Sequence, residues 1–302
     1  VAEYPSHREM KRYFEEFATH FDLHKHYRFG AKVLDCTPLD GPDGGWCITW
    51  RDDMGEHAEE FSGLLIANGT LSTPNMPSFK GEFDGELIHS SQYRHASQFD
   101  GKRVLIIGAG NSGCDIACDA AKGADAAFIS LRRGYHFLPK HLFGIPADVF
   151  AHEGPHLPMW LTQRIFGVIL RILNGDLTRL GLQKPDHRLF ETHPILNTQL
   201  LHYLGHGDIK AKPDVERFEG KTVHFKDGTS EEIDLVLCAT GYTWKVPYVD
   251  PSVFTWKSGK PDLYMNLFSR EHPTLYALGF METNGGAYKL FDEMADMIAR
   301  TI

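Results

Sequence analysis

The sequence predicts an α/β fold built from two similar units, the first of them incomplete, and three observations carry that prediction. A short apolar run, Arg103–Ile107, leads into a glycine-rich turn and then a helical pattern. A hairpin followed by a buried strand and a small turn occurs twice, ending once at Ala67-Asn68-Gly69 and once at Ala239-Thr240-Gly241. Only the second of these is preceded by a complete strand, glycine turn and helix, so if the two units are homologous the first lacks its opening element.

The elements follow in order. Ser6 is an N-cap with Glu9 at the capping-box position, and residues 7–21 place Met10, Tyr13, Phe14 and Phe17 at helical spacing. Strands are expected at 31–36, 46–51 and 63–67, with turns at Asp43-Gly44-Gly45 and Met54-Gly55. Arg103–Ile107 suits a parallel strand buried on both faces, and 125–131 is a second strand after the intervening helix. Residues from about 144 to 205 read as a helical insertion broken by Pro146, Pro155, Pro158, Pro185 and Pro194. Thr222–Phe225, the turn Asp227-Gly228 and Leu235–Cys238 complete the second unit. The expected division is a partial first domain at 1–98, a second domain at 99–245 and a return to the first at 246–302.

The glycine turn is the first feature with chemistry in it. Gly108-Ala-Gly110-Asn111-Ser112-Gly113 is a GxGxxG with a strand before it and a helix after it, the context that makes this motif specific for dinucleotides. Gly108 allows the tight turn, Gly110 lets backbone approach a pyrophosphate, and Gly113 lets helix and strand pack closely. Amides at the helix start then face the phosphate charge. The units are therefore expected to be Rossmann-like and three-layered. An acid about 20 residues on would select NAD; that point instead reads Ser130-Leu131-Arg132-Arg133. Two guanidiniums there favour the 2′-phosphate of NADPH, with the alternative that one of them is only a solvated charge.

Other classes are excluded or weakened. A formal charge of -9 without a long basic run argues against nucleic acid and suits a small metabolite. The most apolar stretch, 160–173, holds Arg164 and Arg171, is too short to span a bilayer, and is expected to be a buried or interfacial helix. Five cysteines without a CxxC point to a reducing cytoplasm, and Cys114 and Cys118, one helical turn apart, read as core residues. No signal-peptide pattern is present, and the first residue is not Met, so this is not expected to be the natural start. Among 17 histidines, His24/His26 and His202/His206 form only pairs, so no metal site is expected.

Three further segments carry a family resemblance. Phe83-Asp-Gly85-Glu-Leu-Ile-His89-Ser-Ser-Gln-Tyr93 matches FxGxxxHxxx(Y/F), Leu71-Ser-Thr-Pro74-Asn75-Met-Pro77 precedes it, and Leu237-Cys-Ala239-Thr240-Gly241-Tyr242 matches an ATGY element. With the glycine turn, the chain resembles flavin-containing monooxygenases along essentially its whole length. That resemblance implies FAD in the first unit and NADPH in the second. It also implies dioxygen capture as a C4a-hydroperoxyflavin and oxygen transfer to a soft nitrogen or sulfur nucleophile. Tyr93, where Baeyer-Villiger relatives have Trp, favours that nitrogen- and sulfur-oxygenating branch. The family's first GxGxxG is absent here, which reads as N-terminal truncation.

Several roles stay open at this level. His89 and Tyr93 contact the nicotinamide cofactor or, preferably, lock the link between domains. Asn68 and Gly69, like Thr240 and Gly241, sit where FAD or NADPH would pass; Asn68 reaches flavin or adopts a left-handed turn. Asn197, in His193-Pro-Ile-Leu-Asn197, faces the cleft or caps a helix. A disulfide reductase would need the missing CxxC, whereas an NADP-binding remnant without catalysis fits the missing motif. Homo-oligomerisation is left open.

Overall fold

The computed structural model describes residues 2–41, 44–142, 144–147, 149–150, 157–281, 283 and 287–302. Asp43 of the first expected turn and Pro155 of the insertion lie outside the described residues.

In chain order the main elements are α1 (His7–His20), β1 (Lys32–Pro38), β2 (Trp46–Asp52), β3 (Gly55–Phe61), β4 (Leu64–Ile66), β5 (Glu86–His89), β6 (Arg103–Ile107), α2 (Asn111–Ala120) and β7 (Ala126–Ser130). They continue with α3 (Met159–Asn174), α4 (Gln199–His206), β8 (Ile209–Lys212), β9 (Val215–Glu219), β10 (Thr222–Phe225), β11 (Ser230–Glu232), β12 (Leu235–Cys238), β13 (Leu275–Ala277) and α5 (Tyr288–Ala299).

The chain divides into two compact units, 1–70 with 244–281 and 288–302, and 71–243 with 282–287. The second is built on a five-stranded parallel sheet in the order β8-β7-β6-β12-β5. Its three central strands, β7, β6 and β12, are apolar on both faces because both are covered, as parallel sheets require. Val104, Ile106, Ile129 and Leu237 pack with Cys114, Ala117, Leu200 and Leu204 of α2 and α4. Leu105, Ile107, Phe128 and Val236 face the antiparallel sheet β9-β10-β11 through Phe218, Val223 and Phe225. This is the three-layer arrangement the sequence predicts.

Three expectations change. Residues 71–98 belong to the second unit and not the first, because β5 hydrogen-bonds in parallel to β12 and so forms an edge of that unit's sheet. The stretch 144–205 is not wholly an insertion: α4 packs on the central layer through the buried Leu200 and Leu204. The apolar stretch at 160–173 forms α3, in which only Leu170 is buried, while Val168 and Ile172 are exposed.

In the first unit, β1-β2-β3 form an antiparallel sheet and β4 pairs in parallel with β13. Trp46, Leu64, Ile66, Leu275 and Phe280 share one core, and Met294 and Ile298 of α5 pack with Tyr276. Helix α1 forms with the expected capping box, Glu9 N–H donating to Ser6 Oγ and Ser6 N–H to Glu9 Oε2. Its aromatic stripe of Tyr13, Phe14 and Phe17 is exposed.

Candidate functional site

The turn between β6 and α2 is shaped by its glycines. Gly108 has φ +104, and a Cβ there would sit 2.5 Å from the Ala239 carbonyl oxygen, so both conformation and space demand glycine. At Gly113 a Cβ would fall 2.1 Å from the Gly108 carbonyl oxygen, which is the close strand–helix approach expected of the third glycine. Gly110 differs: a Cβ there would meet nothing within 4 Å. No side chain caps α2, whose first-turn amides therefore remain for an anion. Asn111 does not cap it either, because its Oδ1 accepts from the Leu196 amide at 2.9 Å. Ser112 is exposed at the mouth of the turn.

Beyond the end of β7 the two arginines part company. Arg132 is exposed, and its side chain makes no hydrogen bond or ion pair among the described residues. Arg133 is engaged: its Nη2 lies 2.9 Å from Asp186 Oδ1 and 2.6 Å from His187 Nδ1. His187 and then Arg133 hold the Asp186 carboxyl below the usual carboxylate range. No sequence signal pointed to Asp186 or His187.

The second turn, Thr240-Gly241, is tied to Asn75. Thr240 Oγ1 donates to the Asn75 carbonyl at 2.6 Å, Asn75 Nδ2 donates to the Thr240 carbonyl at 3.3 Å, and the Asn75 amide donates to the Gly241 carbonyl at 3.0 Å. Gly241, at φ +78, is exposed. His89 is buried with its Nε2 2.9 Å from the Gly241 carbonyl, while its Nδ1 accepts from the Ser91 amide at 3.1 Å. Those partners fix the Nε2–H tautomer. Tyr93 donates to Asp119 Oδ2 at 2.8 Å and stacks on Phe99. Phe83 packs on Phe218, and a Cβ at Gly85 would lie 2.6 Å from the Asp234 carbonyl oxygen, so these two seat the edge strand. Every one of these partners lies within the second unit.

In the first unit Asn68 is not left-handed; Gly69 is, at φ +72. Asn68 works through its side chain, with Nδ2 donating to the Gly69 and Lys245 carbonyls at 3.1 and 3.3 Å and Oδ1 accepting from Tyr248 at 3.1 Å. Asn197 is buried, accepts from the Leu200 amide at 2.8 Å and donates to Asp115 at 2.6 Å, so it caps α4. All five cysteines are free thiols. Burial raises the Cys118 thiol to about 11 and pushes Cys114 higher still, so both stay protonated core residues. No cluster of three metal-ligating side chains occurs among the described residues, and no described helix is long and apolar enough to cross a membrane.

The parts brought together in the second unit fit a dinucleotide carrying a 2′-phosphate: an open glycine, an uncapped helix start and an unpaired arginine. The first unit offers the Asn68-Gly69 turn, and no second GxGxxG occurs in the sequence.

A family model described as flavin-binding monooxygenase-like matches residues 2–302. Human flavin-containing monooxygenase 5 is 34% identical over 298 residues, covering 92% of this chain and 54% of the relative. The probable indole-3-pyruvate monooxygenase YUCCA9 of Arabidopsis thaliana is 30% identical, covering 92% and 68% respectively. The dimethylaniline monooxygenase [N-oxide-forming] 2 of Cavia porcellus is 31% identical, covering 97% and 57%. The chain thus spans between about half and two thirds of the length of these curated relatives. Among solved structures, the flavin-containing monooxygenase from Stenotrophomonas maltophilia superposes with a TM-score of 0.71 at 19% identity, covering 99% of this chain and 78% of that one. Cyclohexanone monooxygenase from Rhodococcus bound to NADP+ gives 0.68 at 18% identity, covering 98% and 70%.

Proposed function

The chain belongs to the flavin-binding monooxygenase-like family, and we propose that it serves an NADPH-dependent flavoprotein monooxygenase acting on soft nitrogen or sulfur nucleophiles with dioxygen. The observation that carries this reading is the open glycine turn with its uncapped helix and the exposed, unpaired Arg132 beyond the next strand. The guinea-pig relative's N-oxide-forming name and Tyr93 at the fingerprint's last position support the substrate class.

The residues divide the work as follows. The amides of Asn111, Ser112 and Gly113 bind the pyrophosphate, Gly110 leaves room for it, and an arginine pairs with the 2′-phosphate. His89, holding the Gly241 carbonyl, keeps the Thr240-Gly241 turn in place beside Asn75. When both are bound, NADPH supplies a hydride and FAD the redox centre that meets dioxygen. FAD is proposed on family membership; Asn68 and Gly69 are the residues of the first unit nearest in kind to a flavin contact. We also assign a cytoplasmic setting, which the five free thiols support.

A second reading is NADP binding without catalysis, and one observation favours it: the GxGxxG of this sequence lies in the second unit. Supplementing the purified protein with FAD and removing the excess separates the two. Retained flavin absorbance with NADPH- and dioxygen-dependent oxidation of a tertiary amine or thioether supports the oxygenase. No retained flavin alongside intact NADPH binding supports the second reading.

A further inference from the structure

The sequence places Arg133 beside Arg132 at the expected 2′-phosphate position, yet its surroundings are already closed. The segment 183–195 runs against 131–138. Gln183 Nε2 donates to the Leu131 carbonyl at 3.0 Å, Gly134 forms a parallel bridge with Pro185, and Ile195 exchanges backbone hydrogen bonds with His136 and Leu138. A Cβ at Gly134 would sit 2.3 Å from the Gln183 carbonyl oxygen, so only glycine lets the two segments approach this closely. That approach lays Asp186 and His187 over Arg133. His136 Nε2, 3.0 Å from the His187 carbonyl, fixes the backbone there.

We propose that Asp186 and His187 withdraw Arg133 from cofactor recognition and leave Arg132 as the residue that selects the 2′-phosphate. The inference rests on the NADPH reading above and assigns the discrimination within it. The argument is one of donors. A guanidinium offers two edges that grip a phosphate with paired hydrogen bonds, Nε with Nη2 and Nη1 with Nη2. Arg133 Nη2 is committed to Asp186 Oδ1 and His187 Nδ1, and its Nε is buried without a partner, so neither edge is left. A phosphate brought to Arg133 would also meet the Asp186 carboxylate, a like charge. His187 is 8% exposed at its side chain, and its Nδ1 lies 2.6 Å from Arg133 Nη2 and 2.9 Å from Asp186 Oδ1, so the three side chains form one closed cluster. Arg132 has none of these partners and stands in solvent.

The test uses calorimetry on the whole protein with adenosine 2′,5′-bisphosphate and 5′-AMP, which differ only in the 2′-phosphate, so no flavin or turnover is needed. The wild type is expected to prefer the bisphosphate. Arg132→Ala, at an exposed position, is expected to lose about tenfold to a hundredfold of that preference, the equivalent of the charged hydrogen bonds removed. Arg133→Ala is expected to keep the preference within about threefold while lowering the melting temperature, as removal of a structural clamp should. Asp186→Ala in the Arg132→Ala background frees Arg133 and is expected to restore part of the preference. Full preference in Arg132→Ala, or its loss in a folded Arg133→Ala, overturns the proposal. A wild type that binds both nucleotides equally overturns the NADPH reading itself, an outcome recognisable before any variant is made.

Discussion

Two glycines of one turn obey different physical demands. Gly108 is held by its positive φ and by the Ala239 carbonyl, whereas Gly110 faces open space at an ordinary φ of -69. Gly108→Ala is therefore expected to destabilise the second unit by about 2–3 kcal/mol or more, a left-handed strain plus a backbone clash. Gly110→Ala should cost only about 1 kcal/mol, as Ala is a poorer N-cap than Gly but meets no clash there, yet weaken adenosine 2′,5′-bisphosphate by filling the phosphate space. Urea titration and calorimetry on the pair check this, and equal stability losses would refute the distinction. Asp234 makes a pH prediction. The Arg103 amide, then Lys221, hold its carboxyl below its usual value, with hydrogen bonds of 3.1 and 3.0 Å. A depressed folded value means that its contribution is present above the ordinary carboxylate range and is lost as pH falls through the folded value. Asp234→Asn should therefore flatten the acid limb of the urea midpoint against pH, leaving the limb above neutrality unchanged. Asn68 shows why a side chain's role is hard to read from sequence: its type suits a left-handed turn, yet its neighbour Gly69 takes that conformation at lower strain.

Local pattern found elements where periodicity was strong and missed them where it was short. β6, β7 and β12 are continuous apolar runs and were legible. β5, β8 and β13, of three or four residues each, were not, because their pairing partners lie far along the chain. Helix α4 falls inside the expected insertion for a related reason: the prolines before it mark loops, but its Leu200 and Leu204 reach the central sheet only in three dimensions. Its cap makes this testable. Asn197→Ala removes an acceptor for the buried Leu200 amide and a donor to the exposed Asp115, and is expected to cost about 1–3 kcal/mol, the loss associated with an unsatisfied buried amide. Amide exchange along Gln199–His206 should rise while that of β12 changes little; a uniform rise would mean that the residue acts on the whole unit.

The two units have separate cores, one around Val104, Phe128 and Leu237, the other around Trp46, Ile66 and Phe280. Ligand linkage should respect that division. Adenosine 2′,5′-bisphosphate at about a hundred times its dissociation constant stabilises the state that binds it by about 2.7 kcal/mol, so hydrogen exchange should slow across β6, α2 and β7 and stay unchanged across β1, β2 and β3. Protection confined to the first unit would put the site in the wrong place. By itself the sequence determined the α/β class, the family, and the strand, turn and helix that receive a dinucleotide, because glycine spacing and apolar runs are local properties. Only the tertiary structure decided that the partners of the fingerprint residues Phe83, Gly85, His89 and Tyr93 lie within the second unit, and that the adjacent Arg132 and Arg133 have different fates. What separates those arginines is the approach of Asp186 and His187 from more than 50 residues along the chain, a contact set by how segments pack.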